Sequence, residues 1–191
     1  GRSKLSLATV TSLVGGGAKM MAHRALEMTG GIKTKNQVDD IVGSFLDLYR
    51  NNPVRLSKIF PGGTNLLDTL VGDNVLLAIC TNKPRITTDP VLAYFDLKKY
   101  FSLIRCGDEV PYQKPDSRHI THMVNELGLK TEDVIMVGDS HNDICAAHGA
   151  KVRSIAVTYG YDETILSLPE VDLVAHSIAG VEDRLVDAWS A

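Results

Sequence analysis

The chain has 191 residues, enough for one domain or for a core with a small inserted domain. Its 44% hydrophobic and 23% charged residues are ordinary for a soluble globular protein and argue against disorder. A net charge of −3 gives no general attraction to nucleic acid or to anionic membranes, and no apolar run reaches the roughly 18 residues of a membrane span, so we expect neither partner. Cys80, Cys106 and Cys145 lie far apart and outside any CxxC pattern, which favours reduced thiols and a cytoplasmic location.

Helical patterns dominate roughly the first sixty residues of the chain. The predicted helices cover residues 5–14, 18–28 and 34–49, with Ser6 as the N-cap of the first. The run Gly15-Gly16-Gly17 between the first two helices has neither the GxGxxG pattern nor a P-loop ending, so we reject both nucleotide-binding motifs. Two interpretations of the run stay open: a flexible connection between helices, or a backbone-rich loop that lies over a substrate.

A break rich in proline and glycine at residues 51–63 predicts a domain boundary near Phe60, between a helical domain at 1–58 and an α/β domain at 59–191. After the break, apolar and amphipathic segments alternate. The predicted strands are 75–80, 101–106, 134–137, 152–157 and a weak 173–174; the predicted helices are 64–71, 84–95, 116–127, 142–149 and 178–189, with Asp116 as an N-cap and Gly149 as a stop. This alternation predicts a doubly wound, Rossmann-like parallel sheet.

The strongest candidate site follows the strand at residues 134–137. Asp139 and Asp143 bracket a tight turn into the next helix, at the strand end where open α/β sheets bind ligands. Two carboxylates beside the amides of a helix N-terminus suit a hard cation and a phosphate group. Asp143 alone would also fit a simple helix cap.

Two further clusters follow other predicted elements. Thr81 and Asn82 come directly after a strand, and their hydroxyl and amide groups can hold a phosphoryl oxygen, although either residue would also fit an ordinary turn. Lys114, in the segment YQKPD, is a compact positive charge suited to phosphate, although a lone lysine is more often a solvated surface residue.

Together these segments resemble the haloacid dehalogenase superfamily of phosphohydrolases, over nearly the whole chain. CTNKP is similar to its second motif, QKPD to its third and GDSHND to its fourth. The nearest likeness is to its phosphoglycolate phosphatase group, which carries a helical cap after the first core strand. The resemblance implies that Asp139 coordinates Mg²⁺ and that Asp143 supports the metal shell. It also implies that Thr81 and Asn82 bind the phosphoryl group and that Lys114 stabilises its charge.

The resemblance extends to the helical region. VGGGA is similar to the glycine-rich cap loop of the group, which makes Gly16 a candidate substrate contact. Arg24, in the helix after this loop, is a second candidate, and a solvated helix charge is its competing interpretation.

The family's DxDGT segment, which carries the nucleophile and the general acid/base on the first core strand, is not found in these 191 residues. In the family that strand lies between the strands that here are 75–80 and 134–137. We therefore expect a fragment of a longer protein that is inactive by itself. The implied function is Mg²⁺-dependent hydrolysis of a small phosphate monoester, most simply 2-phosphoglycolate, through an aspartyl phosphate whose nucleophile lies outside these residues. The alternatives are a silent phosphate- and metal-binding protein, a dehalogenase or phosphonatase on the same scaffold, and a receiver-type signalling domain.

Overall fold

A computed structural model describes residues 1–162 and 164–190, so that Glu163 and Ala191 of the predicted 59–191 domain lie outside the described residues. The α-helices are α1 (Leu7–Ser12), α2 (Gly17–Met28), α3 (Gln37–Arg50), α4 (Gly63–Gly72), α5 (Arg85–Tyr94), α6 (Arg118–Glu126), α7 (His141–Ala150) and α8 (Ile178–Ser190). The strands are β1 (Ala78–Cys80), β2 (Leu103–Arg105), β3 (Ile135–Gly138), β4 (Arg153–Val157) and β5 (Leu173–Ala175). None of the helices in the described part of the chain is both long and apolar enough to cross a membrane.

Helices α1 to α3 precede every strand. Ser6 caps α1 as predicted, because its Oγ accepts a hydrogen bond from the backbone N–H of Thr9 at 3.1 Å. The C-terminal end of α2 is satisfied by Arg2, whose guanidinium donates to the carbonyls of Leu26 at 3.1 Å and Thr29 at 2.9 Å. These contacts fix the amino-terminal segment against α2.

The described strands form two sheets in which every bonded pair is parallel, which confirms the predicted α/β class. β1 pairs with β2, and β4 pairs with β3 on one side and β5 on the other. An α-helix lies between each pair of successive strands from β1 to β4, whereas a 3-10 turn at Ile165–Ser167 lies between β4 and β5. The core clusters sit between strands and helices. The first two strands are shorter than predicted, since ladder bonding joins only three residue pairs of β1 and β2.

β1 and β3 are not bonded to each other. Both line one apolar slot of about 640 Å³, closed on its sides by residues of α6 and α8 such as Met123, Val124 and Leu185. Each strand therefore presents an unpaired row of backbone N–H and C=O groups toward the slot. The expectation that a further strand belongs between them stays a prediction.

Two predicted helix ends are wrong. Gly149 does not stop α7: the helix continues to Ala150 and ends at Lys151, whose φ is +57°. Gly149 instead allows close helix packing, because an added Cβ would lie 3.0 Å from Ser117 Cβ. Asp116 is not the N-cap of α6, since that position belongs to Ser117 and the helix begins at Arg118. Asp116 still accepts the backbone N–H of Arg118 at 3.0 Å, one residue before the cap position.

The unpaired strand edges give a testable prediction for the 191-residue chain. We expect the amides of β4, which is bonded on both sides, to exchange with deuterium at least about tenfold more slowly than those of β3 that face the slot. Hydrogen exchange followed by mass spectrometry or NMR measures this difference. Equal protection of the two strands would show that the slot is closed by direct pairing in solution.

Candidate phosphate and metal site

A cleft of about 480 Å³ lies between the N-terminal helices and the carboxyl ends of β1 and β3. The α/β side contributes the residues that directly follow the two strand ends, and the helical side contributes the α1–α2 loop and α3. Among the lining residues are Gly15, Gly17, Tyr49, Thr81, Asn82, Lys83, Lys114, Asp139, Ser140 and Asp143. The strand-end clusters predicted from sequence therefore meet in one place.

A buried ion pair joins Lys114 to Asp143. The Lys114 Nζ lies 2.6 Å from Asp143 Oδ1, and the two side chains are only 7% and 8% exposed. The same ammonium donates a hydrogen bond to the backbone carbonyl of Cys80, the last residue of β1. Lys114 is thus a buried residue that joins β1 to α7, and the alternative of a solvated surface lysine is wrong.

Asp143 pairs with the lysine and also forms a capping box with Ser140, the N-cap residue of α7. Its Oδ2 accepts the backbone N–H of Asp139 at 3.2 Å, together with the N–H at 3.0 Å and the hydroxyl at 2.7 Å of Ser140. Gly138 makes this geometry possible, because a Cβ there would lie 2.3 Å from Asp143 Cβ. The N-cap of α7 is thus Ser140 and not Asp143, which takes part in the cap from the third helical position, while the role of Asp143 in a metal site stays a prediction. Because both of its carboxylate oxygens already accept hydrogen bonds, Asp143 shapes the loop around Asp139.

Asp139 has fewer partners than Asp143. It is partly buried, and its Oδ2 accepts the backbone N–H of Tyr161 at 3.3 Å. Burial raises the pKa of the Asp139 carboxyl above its ordinary value, and the nearby charge of Asp143 raises it further. A cation beside Asp139 would relieve both effects.

The donor set fits Mg²⁺ in its usual protein setting. No group of three or more His, Cys, Asp or Glu side chains that could hold a metal occurs within residues 1–162 and 164–190. Mg²⁺, however, commonly uses only one or two carboxylates and completes its shell with water and substrate phosphate. Asp139 is suited to bind it directly, and Asp143 to orient the loop that carries Asp139.

Thr81 and Asn82 differ in what their side chains can offer a substrate. Thr81 Oγ accepts the backbone N–H of Lys83 at 3.1 Å, which leaves its own proton for a phosphoryl oxygen. The buried Asn82 amide is used inside the protein: Oδ1 accepts the Lys114 N–H at 3.0 Å, and Nδ2 donates to the carbonyls of Lys114 at 2.7 Å and Gly15 at 3.2 Å. Asn82 therefore positions Lys114 and the glycine loop, a role that the sequence interpretation missed.

Two residues of the glycine run line the cleft, while the interpretation of the run as a loop over a substrate stays a prediction. Gly15 and Gly17 line the cleft with φ of +119° and +79°, values that favour glycine. Neither Gly16 nor Arg24, which is exposed on α2, is among the residues that line the cleft. The structure thus brings five of the seven predicted site residues together and leaves Gly16 and Arg24 outside.

Lys83 and Tyr49 are cleft residues that the sequence interpretation overlooked. The Lys83 Nζ donates to the Tyr49 hydroxyl at 2.5 Å and lies 4.5 Å from the centre of the ring. Lys83 belongs to the CTNKP segment, in which only Thr81 and Asn82 were predicted to bind the phosphoryl group. Tyr49 has no sequence signal of its own, because it lies on an amphipathic helix.

The strand ends of the parallel α/β core thus carry a buried lysine–aspartate pair, a hydroxyl and a partly free carboxylate. These groups suit the binding of phosphate beside a hard cation. The family model described as haloacid dehalogenase-like hydrolase matches residues 17–157. The chain belongs to this family.

Several relatives of the chain are named phosphoglycolate phosphatase. A phosphoglycolate phosphatase of Agrobacterium fabrum is 37% identical over 178 residues, which cover 93% of this chain and 76% of that relative. A phosphoglycolate phosphatase of Pectobacterium atrosepticum is 35% identical over 189 residues, which cover 93% of this chain and 81% of that relative. The crystal structure of a predicted phosphoglycolate phosphatase from Haemophilus somnus 129pt matches with a TM-score of 0.89 at 26% identity, covering 96% of this chain and 84% of that one. The class of activity is therefore that of a phosphoric monoester hydrolase, as predicted.

The bonds of Asn82 predict the effect of removing its amide. Asn82→Ala would leave buried backbone groups of Lys114 without partners, so we expect the free energy of unfolding to fall by about 2–4 kcal/mol, at roughly 1–3 kcal/mol for each lost partner. Urea unfolding followed by circular dichroism measures the loss.

Asn125→Ala, at an exposed position of α6, is the matched control and should change stability by less than about 0.5 kcal/mol. Equal effects of the two substitutions would contradict the positioning role of Asn82.

Proposed function

We propose that the encoded protein is a Mg²⁺-dependent phosphatase that hydrolyses a small phosphate monoester, with 2-phosphoglycolate as its substrate. The observation that carries the proposal is the meeting of the Lys114 ammonium, the Thr81 hydroxyl and the Asp139 carboxylate in one small cleft. The relatives named phosphoglycolate phosphatase support the choice of ester. A cytoplasmic location and a small phosphorylated metabolite as partner belong to the same proposal.

The roles of the side chains follow from their contacts. Lys114, held by Asp143 and the Cys80 carbonyl, places a positive charge beside the transferring phosphoryl group. Thr81 donates its hydroxyl proton to a phosphoryl oxygen. Asp139 would hold Mg²⁺, which when bound supplies further neutralisation of phosphoryl charge.

The attacking group of this proposal is a carboxylate that is not among the described residues lining the cleft. We propose that it belongs to a further strand in the slot between β1 and β3, because the carboxyl end of such a strand would open between Thr81 and Asp139. Its oxygen would attack phosphorus as the bond to the leaving alcohol breaks and the alkoxide takes up a proton. Water would then hydrolyse the acyl phosphate.

The helices at residues 1–58 act in this proposal as a cap. Val14, Met21, Phe45 and Leu46 present apolar side chains to the cleft, opposite the polar strand ends. An apolar cover excludes bulk water, which strengthens the electrostatic interactions beneath it. The cap thereby limits the leaving group to a small one.

Asp139→Asn in the full encoded protein tests the proposal. We expect Mg²⁺-dependent hydrolysis of 2-phosphoglycolate to fall about 100- to 1,000-fold, because loss of one preorganised electrostatic group costs about 3–4 kcal/mol. Retained turnover would refute the metal role of Asp139. An absence of turnover in the unaltered protein, with phosphate still bound, would favour the silent binding protein instead.

Thermal unfolding provides a second test of the Asp139→Asn substitution. Because the pKa of the Asp139 carboxyl is raised in the folded protein, ionisation of this carboxyl lowers the free energy of unfolding. The lost stability returns as the pH falls through that pKa. At neutral pH without metal, Asp139→Asn should therefore raise Tm, by about 2–4 °C for each kcal/mol gained in the free energy of unfolding. The substitution should also remove the Tm increase that Mg²⁺ gives the unaltered protein. Asp183→Asn, on the exposed side of α8, is the control and should keep the Mg²⁺ response.

A further inference from the structure

Lys83 is a cation of the cleft that is not balanced by an acidic partner. Among the residues that the structure describes, it has no ion pair with a carboxylate, and its Nζ is held by the neutral hydroxyl and ring of Tyr49. The other lysine of the cleft, Lys114, is already paired with Asp143. Lys83 is therefore the positive charge that remains for a ligand.

The backbone around Lys83 is held on both sides. Its N–H donates to Thr81 Oγ at 3.1 Å, and its carbonyl accepts the N–H of Gly107 at 3.2 Å. Gly107 must be glycine, because an added Cβ would lie 2.5 Å from the Asn82 carbonyl oxygen. The starting point of the lysine side chain is thus fixed relative to Thr81.

The cap side of the cleft brings no charge of its own. Its lining residues are Val14, Gly15, Gly17, Ala18, Met21, Phe45, Leu46 and Tyr49, all of them formally neutral. A substrate with a second negative group beside its phosphate would accordingly find its counter-charge on Lys83. The α-carbon atoms of Thr81 and Lys83 are at most about 7 Å apart, which suits a substrate of only a few atoms.

We propose that Lys83, oriented by Tyr49, binds the carboxylate of a small phosphorylated acid and makes the enzyme selective for acidic over neutral phosphate esters. This proposal rests on the proposed function, since it concerns the leaving group of the same reaction. Lys83 is the residue that touches the substrate. Tyr49 is a positioning residue, and it also ties α3 of the cap to the strand end.

The test compares two esters that differ in one group. 2-Phosphoglycolate carries a carboxylate where ethyl phosphate carries a methyl group, so the ratio of their kcat/KM values measures recognition of the carboxylate. In Lys83→Met this ratio should fall about 10- to 100-fold, the range of one charge-assisted hydrogen bond, mainly through the KM for 2-phosphoglycolate. Lys83→Arg should retain most of the ratio. Tyr49→Phe should lower it less, about 3- to 10-fold, because it removes one hydrogen bond that orients the lysine.

Lys98→Met is the matched control, since Lys98 is an exposed lysine outside the cleft, and it should leave the ratio unchanged. If Lys83→Met lowers kcat/KM equally for both esters, Lys83 only ties the cap to the core and the proposal is wrong.

If the proposed function itself is wrong, the result differs from a failure of the Lys83 proposal, because the unaltered protein would then hydrolyse neither ester. Calorimetric binding of the same two esters still tests Lys83 in that case. A preference for 2-phosphoglycolate that Lys83→Met abolishes would support the proposal, and equal affinities of the unaltered protein for both esters would overturn it.

Discussion

The ion pair between Lys114 and Asp143 is the contact on which the candidate site depends. Removing two charges from water costs several kcal/mol each, and such a pair is stable only when further hydrogen bonds satisfy both groups. Here the ammonium also donates to the end of β1, and the carboxylate also accepts two backbone N–H groups and a hydroxyl from the loop after β3. One interaction therefore holds together two strand ends that are not bonded to each other.

The same arrangement couples the α/β core to the helices above it. The Asn82 amide bonds the backbone of Lys114 and the carbonyl of Gly15, so the lysine and the glycine loop share one side chain. Lys83 adds a second connection through Tyr49 on α3. Since each link ends beside the residues proposed to bind phosphate or carboxylate, movement of the helical unit would change the site directly. This gives the proposed cap a physical means of sensing its substrate.

Much of this could be predicted from sequence, for identifiable reasons. Short apolar runs followed by polar residues located β1 and β3. The resemblance of CTNKP, QKPD and GDSHND to the motifs of the family brought Thr81, Lys114, Asp139 and Asp143 into one predicted site. The sequence could not reveal which backbone groups a side chain bonds in the folded protein. The amide of Asn82 was therefore predicted to bind phosphate, although it bonds the backbone of Lys114 and Gly15. Helix ends were also misplaced where packing decides them, as at Gly149. Tyr49 was missed because its role arises only when α3 lies against the strand ends.

A double-mutant cycle on the buried pair tests the central claim most directly. It compares Lys114→Met, Asp143→Asn and the double variant of the 191-residue chain by urea unfolding. We predict that each single substitution lowers the free energy of unfolding by about 3 kcal/mol or more, because it leaves a buried charge unpaired. The double variant should lose far less than the sum, with a coupling energy of at least about 2 kcal/mol. Small, additive losses below about 1 kcal/mol each would contradict the account and show that the pair is not what holds the site together.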